Sequence, residues 1–435
     1  MKFFNTTLKF QGYPIDDARL KLCLRQSVSQ DQFNRDTEEL RNNIFEFHKK
    51  HNIHFRQFLG TRLINGWTDI PVMTKESIQL NISERLSDGY TLKNVYLNST
   101  SGSSGHPFYF AKDKFSHAMT WAVIMNRYNR DGIDLNHSLQ ARFFGIPLNY
   151  KGYIIEKIKD KLSNRVRFPV FDLSERVLDK YLHTFTTKPF EYLYGYSSSL
   201  VLFAKHVSDR GFVLKNLCPT LKLCITTSEI CFPDDRIVME KSFGVRVVNE
   251  YGAAELDIIA FEDEDFDWIM TNENLYFEVV NDDNSPVEEG QEGKLLVTSL
   301  YNKAMPFIRY ELGDIVRIKK EKKGNNQILG SLIGRTNDIA ILPSGKKSPG
   351  LTFYYISKSL LDQGGFLKEF IIKQSSPCHF IFEYVAVQEL QESQKRKVLE
   401  MVDLYLEPGL ECEFKRVDNI DRTKAGKLKH FQKVF

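Results

Sequence analysis

Between residues 192 and 250 the chain three times sets down an apolar run that ends in small polar residues. Tyr192-Leu193-Tyr194-Gly195-Tyr196 leads into Ser197-Ser198-Ser199, after which Leu200, Phe203, Ala204 and Val207 recur at helical spacing. Leu221 to Ile225 ends in Thr226-Thr227-Ser228-Glu229, and Val245 to Val248 ends in Asn249-Glu250. Strands alternating with helices imply an α/β core with ligand groups at the strand C-termini. The expected fold class is therefore α/β, with Gly195 as the turn that joins the first strand to its helix.

A second stretch narrows the chemistry. Asn98-Ser99-Thr100-Ser101-Gly102-Ser103-Ser104-Gly105-His106-Pro107 packs hydroxyls and two glycines between Val95-Tyr96-Leu97 and Phe108-Tyr109-Phe110. The flanks read as strands, so the expected form is a hairpin and not a flexible linker. Glycines let backbone N–H groups turn inward and a ligand come close, and the hydroxyls add donors, a combination suited to phosphate oxygens. A Walker A loop is excluded, because no Gly-Lys-Ser/Thr and no helix follow Gly105. The stretch resembles the Thr-Ser-Gly-Ser/Thr-Thr-Gly-x-Pro signature of adenylate-forming enzymes, the group of acyl-CoA synthetases, peptide-synthetase adenylation domains and luciferases.

Four further stretches resemble that family in its order. Tyr251-Gly252-Ala253-Ala254-Glu255 resembles Tyr-Gly-x-Thr/Ser-Glu, with Ala254 where a hydroxyl residue is usual. Arg309-Tyr310-Glu311-Leu312-Gly313-Asp314 matches the Arg-Tyr-x-x-Gly-Asp element of the phenylacetate–CoA ligase branch. Gly334-Arg335-Thr336-Asn337-Asp338 resembles the interdomain hinge, and Arg422-Thr423-Lys424-Ala425-Gly426-Lys427 resembles the C-terminal motif with the catalytic lysine. Ile70-Pro71-Val72-Met73-Thr74-Lys75 and Ile341 to Lys347 resemble smaller elements of the phenylacetate–CoA ligase and CapK-type proteins.

The resemblance implies a residue-by-residue assignment. Ser99, Thr100, Ser101, Gly102, Ser103, Ser104 and Gly105 would hold the ATP phosphates. Tyr251 and Gly252 would border the adenine, Asp314 would accept hydrogen bonds from the ribose diol, and Arg335 would reach the ribose or phosphate. Glu255 would hold Mg²⁺, a role suited to a single carboxylate beside substrate phosphates. Lys427 would be catalytic, with Asn337 or Asp338 as the pivot. The carboxylate substrate would draw on Tyr196, Ser228, Glu229 and the segment before Tyr251. The activity implied is ATP-dependent activation of a small-molecule carboxylate to an acyl-adenylate and pyrophosphate. A thiol such as CoA, or an amine, then displaces AMP. A CapK-like role would lie in surface polysaccharide biosynthesis. The alternative is an inactive nucleotide-binding or scaffold protein that keeps the fold, to which Ala254 and the shifted hinge register lend weight.

Composition sets outer bounds. A chain of 435 residues suits two or three domains. The expected division is an ATP- and carboxylate-binding domain over 1–334 and a mobile domain over 335–435. A net charge of +3 gives no case for nucleic acid. No run of about 18 apolar residues is present, so no membrane span is expected. The start lacks the apolar core of a secretion signal, and the six scattered cysteines form no Cys-x-x-Cys pair, so a reduced cytoplasmic protein is expected, as monomer or homodimer. Cys218, Cys224 and Cys231 are irregularly spaced with no histidine at zinc-finger distance, which argues against zinc.

Residues 30–60 read as helical, Thr74 as the start of a helix, and Phe115 to Tyr128 as a buried helix ended by Gly132. Short strands from 275 onward read as a β-rich subdomain, with Lys319 to Asn326 as a charged, solvated loop. In the last hundred residues, strands at 370–373, 380–385 and 412–417 and a helix over 395–406 are expected.

Overall fold

The computed structural model describes residues 3–78, 81–99, 108–146, 150–170, 173–335, 339–345, 347–349, 353, 356, 367–420 and 431–435. Helices α1 (Phe3–Phe10), α2 (Ile15–Ser27), α3 (Gln30–His51) and α4 (Ile53–Leu59) precede a hairpin of β1 (Tyr96–Ser99) and β2 (Tyr109–Lys112). Then follow α5 (Lys114–Arg130), β3 (Gln140–Phe143), α6 (Tyr150–Leu162), β4 (Arg165–Phe168), α7 (Glu175–Thr187) and β5 (Tyr192–Tyr196). After these come α8 (Ser197–Asp209), α9 (Leu214–Leu217), β6 (Leu223–Thr227), α10 (Pro233–Phe243) and β7 (Arg246–Ala253).

Strands β3 to β7 are parallel, in the spatial order β4-β3-β5-β6-β7. The chain leaves β3 toward one side for β4 and returns across it to β5, so the order reverses between β3 and β5. In open α/β sheets that reversal opens a crevice beyond the strand ends, where ligands bind. On one face Phe143, Phe168, Phe185, Phe190 and Phe203 pack with α7, α8 and α10. On the other, α2 and α5 cover Tyr192, Ile225 and Val248. Gly195 lies inside β5 and makes no turn. A Cβ there would stand 2.6 Å from the Cβ of Phe143, so glycine lets β3 and β5 close up.

The sheet runs on antiparallel through β8 (Asp257–Glu262), β9 (Trp268–Met270), β10 (Leu275–Val280), β11 (Glu292–Ser299), β12 (Tyr310–Lys323) and β13 (Asn326–Arg335). Its described strands number eleven, in the order β10-β11-β12-β13-β9-β8-β7-β6-β5-β3-β4. The β-rich part is thus an extension of the parallel sheet, joined through Ile328↔Ile269 and Leu329↔Trp268. Lys319 to Lys323 continue β12 and do not form a loop. Lys319 pairs with Asp267 and Lys323 with Asp263 and Asp265, which offsets their charge along the strand.

Beyond it lie β14 (Ile339–Ile341), β15 (Lys347–Pro349), β16 (Leu367–Ser376), β17 (His379–Ala386), α11 (Glu392–Tyr405), β18 (Glu411–Arg416) and β19 (Phe431–Lys433). They form a hairpin and a sheet in the order β18-β17-β16-β19. Among the described residues its core draws on 340–431, including Phe353, Phe370, Phe382, Val398 and Phe431. No helix among the described residues is long and apolar enough to cross a membrane.

Candidate functional site

The flanks of the Ser/Gly loop pair as expected, with Ser99 opposite Tyr109 and Asn98 opposite Phe110. Thr100 to Gly105 lie outside the described residues. So do Asn337, Asp338 and Lys427, and the side chain of Arg335.

The other motifs meet around β7 and β12. Strand β7 extends through the Tyr-Gly element, so Tyr251 and Gly252 belong to it and do not follow it. A Cβ on Gly252 would stand 2.4 Å from the Asp257 carbonyl, so only glycine lets β7 and β8 approach this closely. The Tyr251 hydroxyl donates to Asp314 Oδ2 at 2.5 Å, across 63 residues of chain, with both side chains buried. Asp314 stands opposite Arg335 in the β12–β13 pairing.

Glu255 is held from the same strand. Tyr310 donates to its Oε1 at 2.9 Å, and Lys75 Nζ lies 3.4 Å from that oxygen. The Glu255 side chain is only 2% exposed, so its charge needs the nearby cation. Lys75 reaches it because Met73 joins Tyr310 in a short parallel bridge. The Met73 N–H donates to Arg309 O at 3.1 Å, and the Glu311 N–H to Met73 O at 2.8 Å. Thr74 and Ser77 then bond each other's backbone N–H groups and turn the chain for one 3₁₀ turn, Glu76–Ile78, where a longer helix was expected. Arg309 holds the preceding segment. It has φ 46°, and its guanidinium donates to the carbonyls of Thr68, Ile70 and Asn284 and pairs with Glu278. The motif's arginine is therefore a strut, and its tyrosine and aspartate face the other motif.

The residues expected for the carboxylate substrate lie at the C-terminal ends of β5 and β6, next to the strand-order reversal. Tyr196 ends β5, buried, with its ring 4.4 Å from that of Phe144. Burial pushes its phenol up to about 12. Ser228 follows β6 at φ 69°. Glu229 accepts from the Ser198 N–H at 2.8 Å and so caps the start of α8. Two more residues stand beside them: Glu250, in the expected segment before Tyr251, and Arg142, which no motif singled out. Glu250 accepts from Tyr128 and Tyr194 at 2.7 Å and from Thr227 at 3.2 Å. Burial raises its pKa, opposed by those three hydroxyls. Arg142 lies across from Tyr194 in the β3–β5 register, its guanidinium 4.1 Å from the Phe144 ring centroid. Their signal was available as a charged residue inside an apolar parallel strand. Lys112 and Thr120 bond Asp257 and tie β2 and α5 to the turn after Glu255.

No known family profile matches the chain. Over 112 residues it is 27% identical to a phenylacetate–CoA ligase of Escherichia coli, which is 24% of this chain and 25% of that protein. A Thermus thermophilus phenylacetate–CoA ligase is 30% identical over the same shares. These matches thus span about a quarter of the relatives' length. The protein CapK of Staphylococcus aureus is 21% identical over 70% of this chain and 69% of its own. In fold, the chain is similar to a 2-hydroxyisobutyryl-CoA ligase in the postadenylation state, with TM-score 0.72 and 16% identity over 94% of this chain and 91% of that one. MatB of Rhodopseudomonas palustris, bound to ATP, gives TM-score 0.55 and 15% identity over 77% of this chain and 66% of that one. In fold the chain is thus similar to solved CoA ligases, and in sequence it is similar to phenylacetate–CoA ligases over about a quarter of their length and to CapK over about two thirds.

Proposed function

We propose that the chain is an AMP-forming carboxylate ligase. A carboxylate oxygen of the substrate attacks the α-phosphorus of ATP, and pyrophosphate leaves. A thiol or amine then attacks the acyl carbon, and AMP departs with the bridging oxygen. The attacking carboxylate is already ionised at neutral pH, so the first step needs no general base. What it needs is positive charge where two anions meet.

One observation carries the proposal. Two motifs about 60 residues apart are bonded to each other twice, Tyr251 to Asp314 and Tyr310 to Glu255. The bonds bring two buried carboxylates, Asp314 and Glu255, to one place, on tyrosines that share a core with Phe108 and Phe110 beside the Ser/Gly loop. Asp314 would take the ribose hydroxyls, Tyr251 and Gly252 would border the adenine, and Ser99 with Thr100 to Gly105 would hold the phosphates. Arg335, opposite Asp314, would reach the same nucleotide. Glu255 fits Mg²⁺, since its Oε2 carries no hydrogen bond among the described residues and one carboxylate with substrate phosphates suffices for this ion. The ion would offset the phosphate charge. Lys427 would add charge at the α-phosphate. Residues 335–435 would act as a mobile domain pivoting at Asn337 or Asp338, which the core that 340–431 form among the described residues supports. CoA as acceptor is supported by the relatives' names. The longer CapK match supports a second reading, an amine or sugar-linked acceptor in surface polysaccharide synthesis.

The test is ATP–pyrophosphate exchange over a panel of carboxylates. Exchange that depends on one class of acid is expected. No exchange with any acid, in a folded protein that still binds ATP, would favour the scaffold alternative.

A further inference from the structure

Three arginines share one face of the parallel sheet near the β3/β5 crevice, and two of them are matched. Arg165 bonds Asp160 through Nε at 2.5 Å. Arg167 bonds Asp160 at 3.0 Å and 2.9 Å, Glu156 at 2.7 Å and the Gly145 carbonyl at 2.7 Å. Helix α6 supplies both carboxylates. The third, Arg142, forms no ion pair among the described residues. Its Nε is buried without a hydrogen-bond acceptor, and its one bond, to Gln140 Oε1, is 3.5 Å long. At that length little bonding remains. Glu250, whose buried carboxyl feels the charge of Arg142, forms no ion pair with it among the described residues and is engaged by three hydroxyls.

Arg142 is nonetheless held in place. Its guanidinium lies 4.1 Å from the centroid of Phe144 and 5.0 Å from that of Tyr194. Aromatic faces orient an arginine and remove water from it without using up its donors. A fixed, half-buried cation with spare in-plane donors near the C-terminal end of β3, beside the strand-order reversal, is matched to a carboxylate, which takes two parallel N–H bonds.

We propose that Arg142 determines specificity by binding a second carboxylate on the substrate acid, so that the preferred substrates are dianions. The proposal rests on the AMP-forming reading for the first carboxylate, and it assigns the second. A charge-assisted bond of this kind should favour a dianion over the matching monoanion by about 10- to 150-fold.

Two pairs of acids that share a skeleton make the test, valerate with glutarate and phenylacetate with para-phenylenediacetate. Binding is measured by calorimetry with α,β-methylene ATP present, and exchange is measured with ATP. Both are run on the native chain, Arg142→Gln and Arg142→Lys, with circular dichroism to confirm folding. The native chain should prefer the dianion in at least one pair. Arg142→Gln should lose that preference, the dianion value falling about 10- to 150-fold further than the monoanion value, and Arg142→Lys should keep part of it. A packing role alone would weaken both acids equally. Dianions that bind no better than monoanions, or a ratio that Arg142→Gln leaves unmoved, would overturn the proposal. Dianion binding that falls in Arg142→Gln, without exchange for any acid, would uphold Arg142 and overturn the AMP-forming reading instead.

Discussion

Replacing Asp314 by Asn should separate nucleotide binding from folding. The side chain is 3% exposed and keeps its volume in the variant, so no cavity opens. The Tyr251 hydroxyl keeps an oxygen to donate to, though a neutral one, and Arg335 on β13 still stands opposite. The loss in stability should stay within about 1–3 kcal/mol, the range for weakening one buried hydrogen bond to a charged group. The ribose loses more. A carboxylate accepts from two vicinal hydroxyls, and an amide presents one acceptor and one donor. Losing that pair of charge-assisted bonds should cost roughly 2–4 kcal/mol, a factor of about 30 to 1,000 in affinity. Calorimetry of ATP into the native chain and the variant measures it. 2′-Deoxy-ATP closes the cycle, since it should bind the native chain more weakly and lose little further in Asp314→Asn. The carboxylate KM should hold. A folded variant that binds ATP with native affinity would refute the diol assignment.

Gly252→Ala should cost about 1–3 kcal/mol, because its Cβ would meet the Asp257 carbonyl at 2.4 Å, and exchange should fall with it as Tyr251 and Glu255 are displaced. A native melting temperature would contradict the close approach of β7 and β8. His48 is fully buried between Ser87 and the Asn302 carbonyl, and burial pushes it down to about 4 from 6.5. Between those values the unfolded chain binds the extra proton, so stability is complete above pH 6.5 and falls as pH drops toward 4, by about 1.4 kcal/mol per unit. Denaturant midpoints from pH 7.5 to 4.5 should show a shallower slope in His48→Gln, and an unchanged slope would exclude His48 as a source. Lys427→Ala should lower exchange by about 10²–10³ and still consume a supplied acyl-adenylate with its acceptor; equal loss in both assays would make Lys427 a general support.

Much of the site was legible because its parts are local. The hydroxyl–glycine loop is marked by its own composition and by the apolar strands beside it, and these strands pair as β1 and β2. Tyr251, Glu255 and Asp314 sit in short motifs whose spacing survives translation into a fold. Contacts between distant segments were not legible. Nothing near Lys75 announces that Met73 pairs with Tyr310, since that bridge uses backbone groups that every residue has. Arg309 could be read as a ligand residue as easily as a strut, because the carbonyls it holds come from 68–70 and 284. The short strand β9, three residues long, carries too little periodicity to show that it fuses two strand groups into one sheet. Arg142 and Glu250 show as charges within apolar strands, but only the fold reveals that one is matched by hydroxyls and the other is not.

Transfer of labelled oxygen tests adenylate formation most directly. An acid carrying oxygen-18 in both carboxylate positions is turned over with ATP and acceptor, and the nucleotide product is weighed by mass spectrometry. If the carboxylate attacks the α-phosphorus, AMP leaves with one heavy oxygen and pyrophosphate carries none. Label in inorganic phosphate alongside ADP would mean attack at the γ-phosphorus, and unlabelled AMP would mean that water and not the acid had cleaved ATP; either would contradict the account.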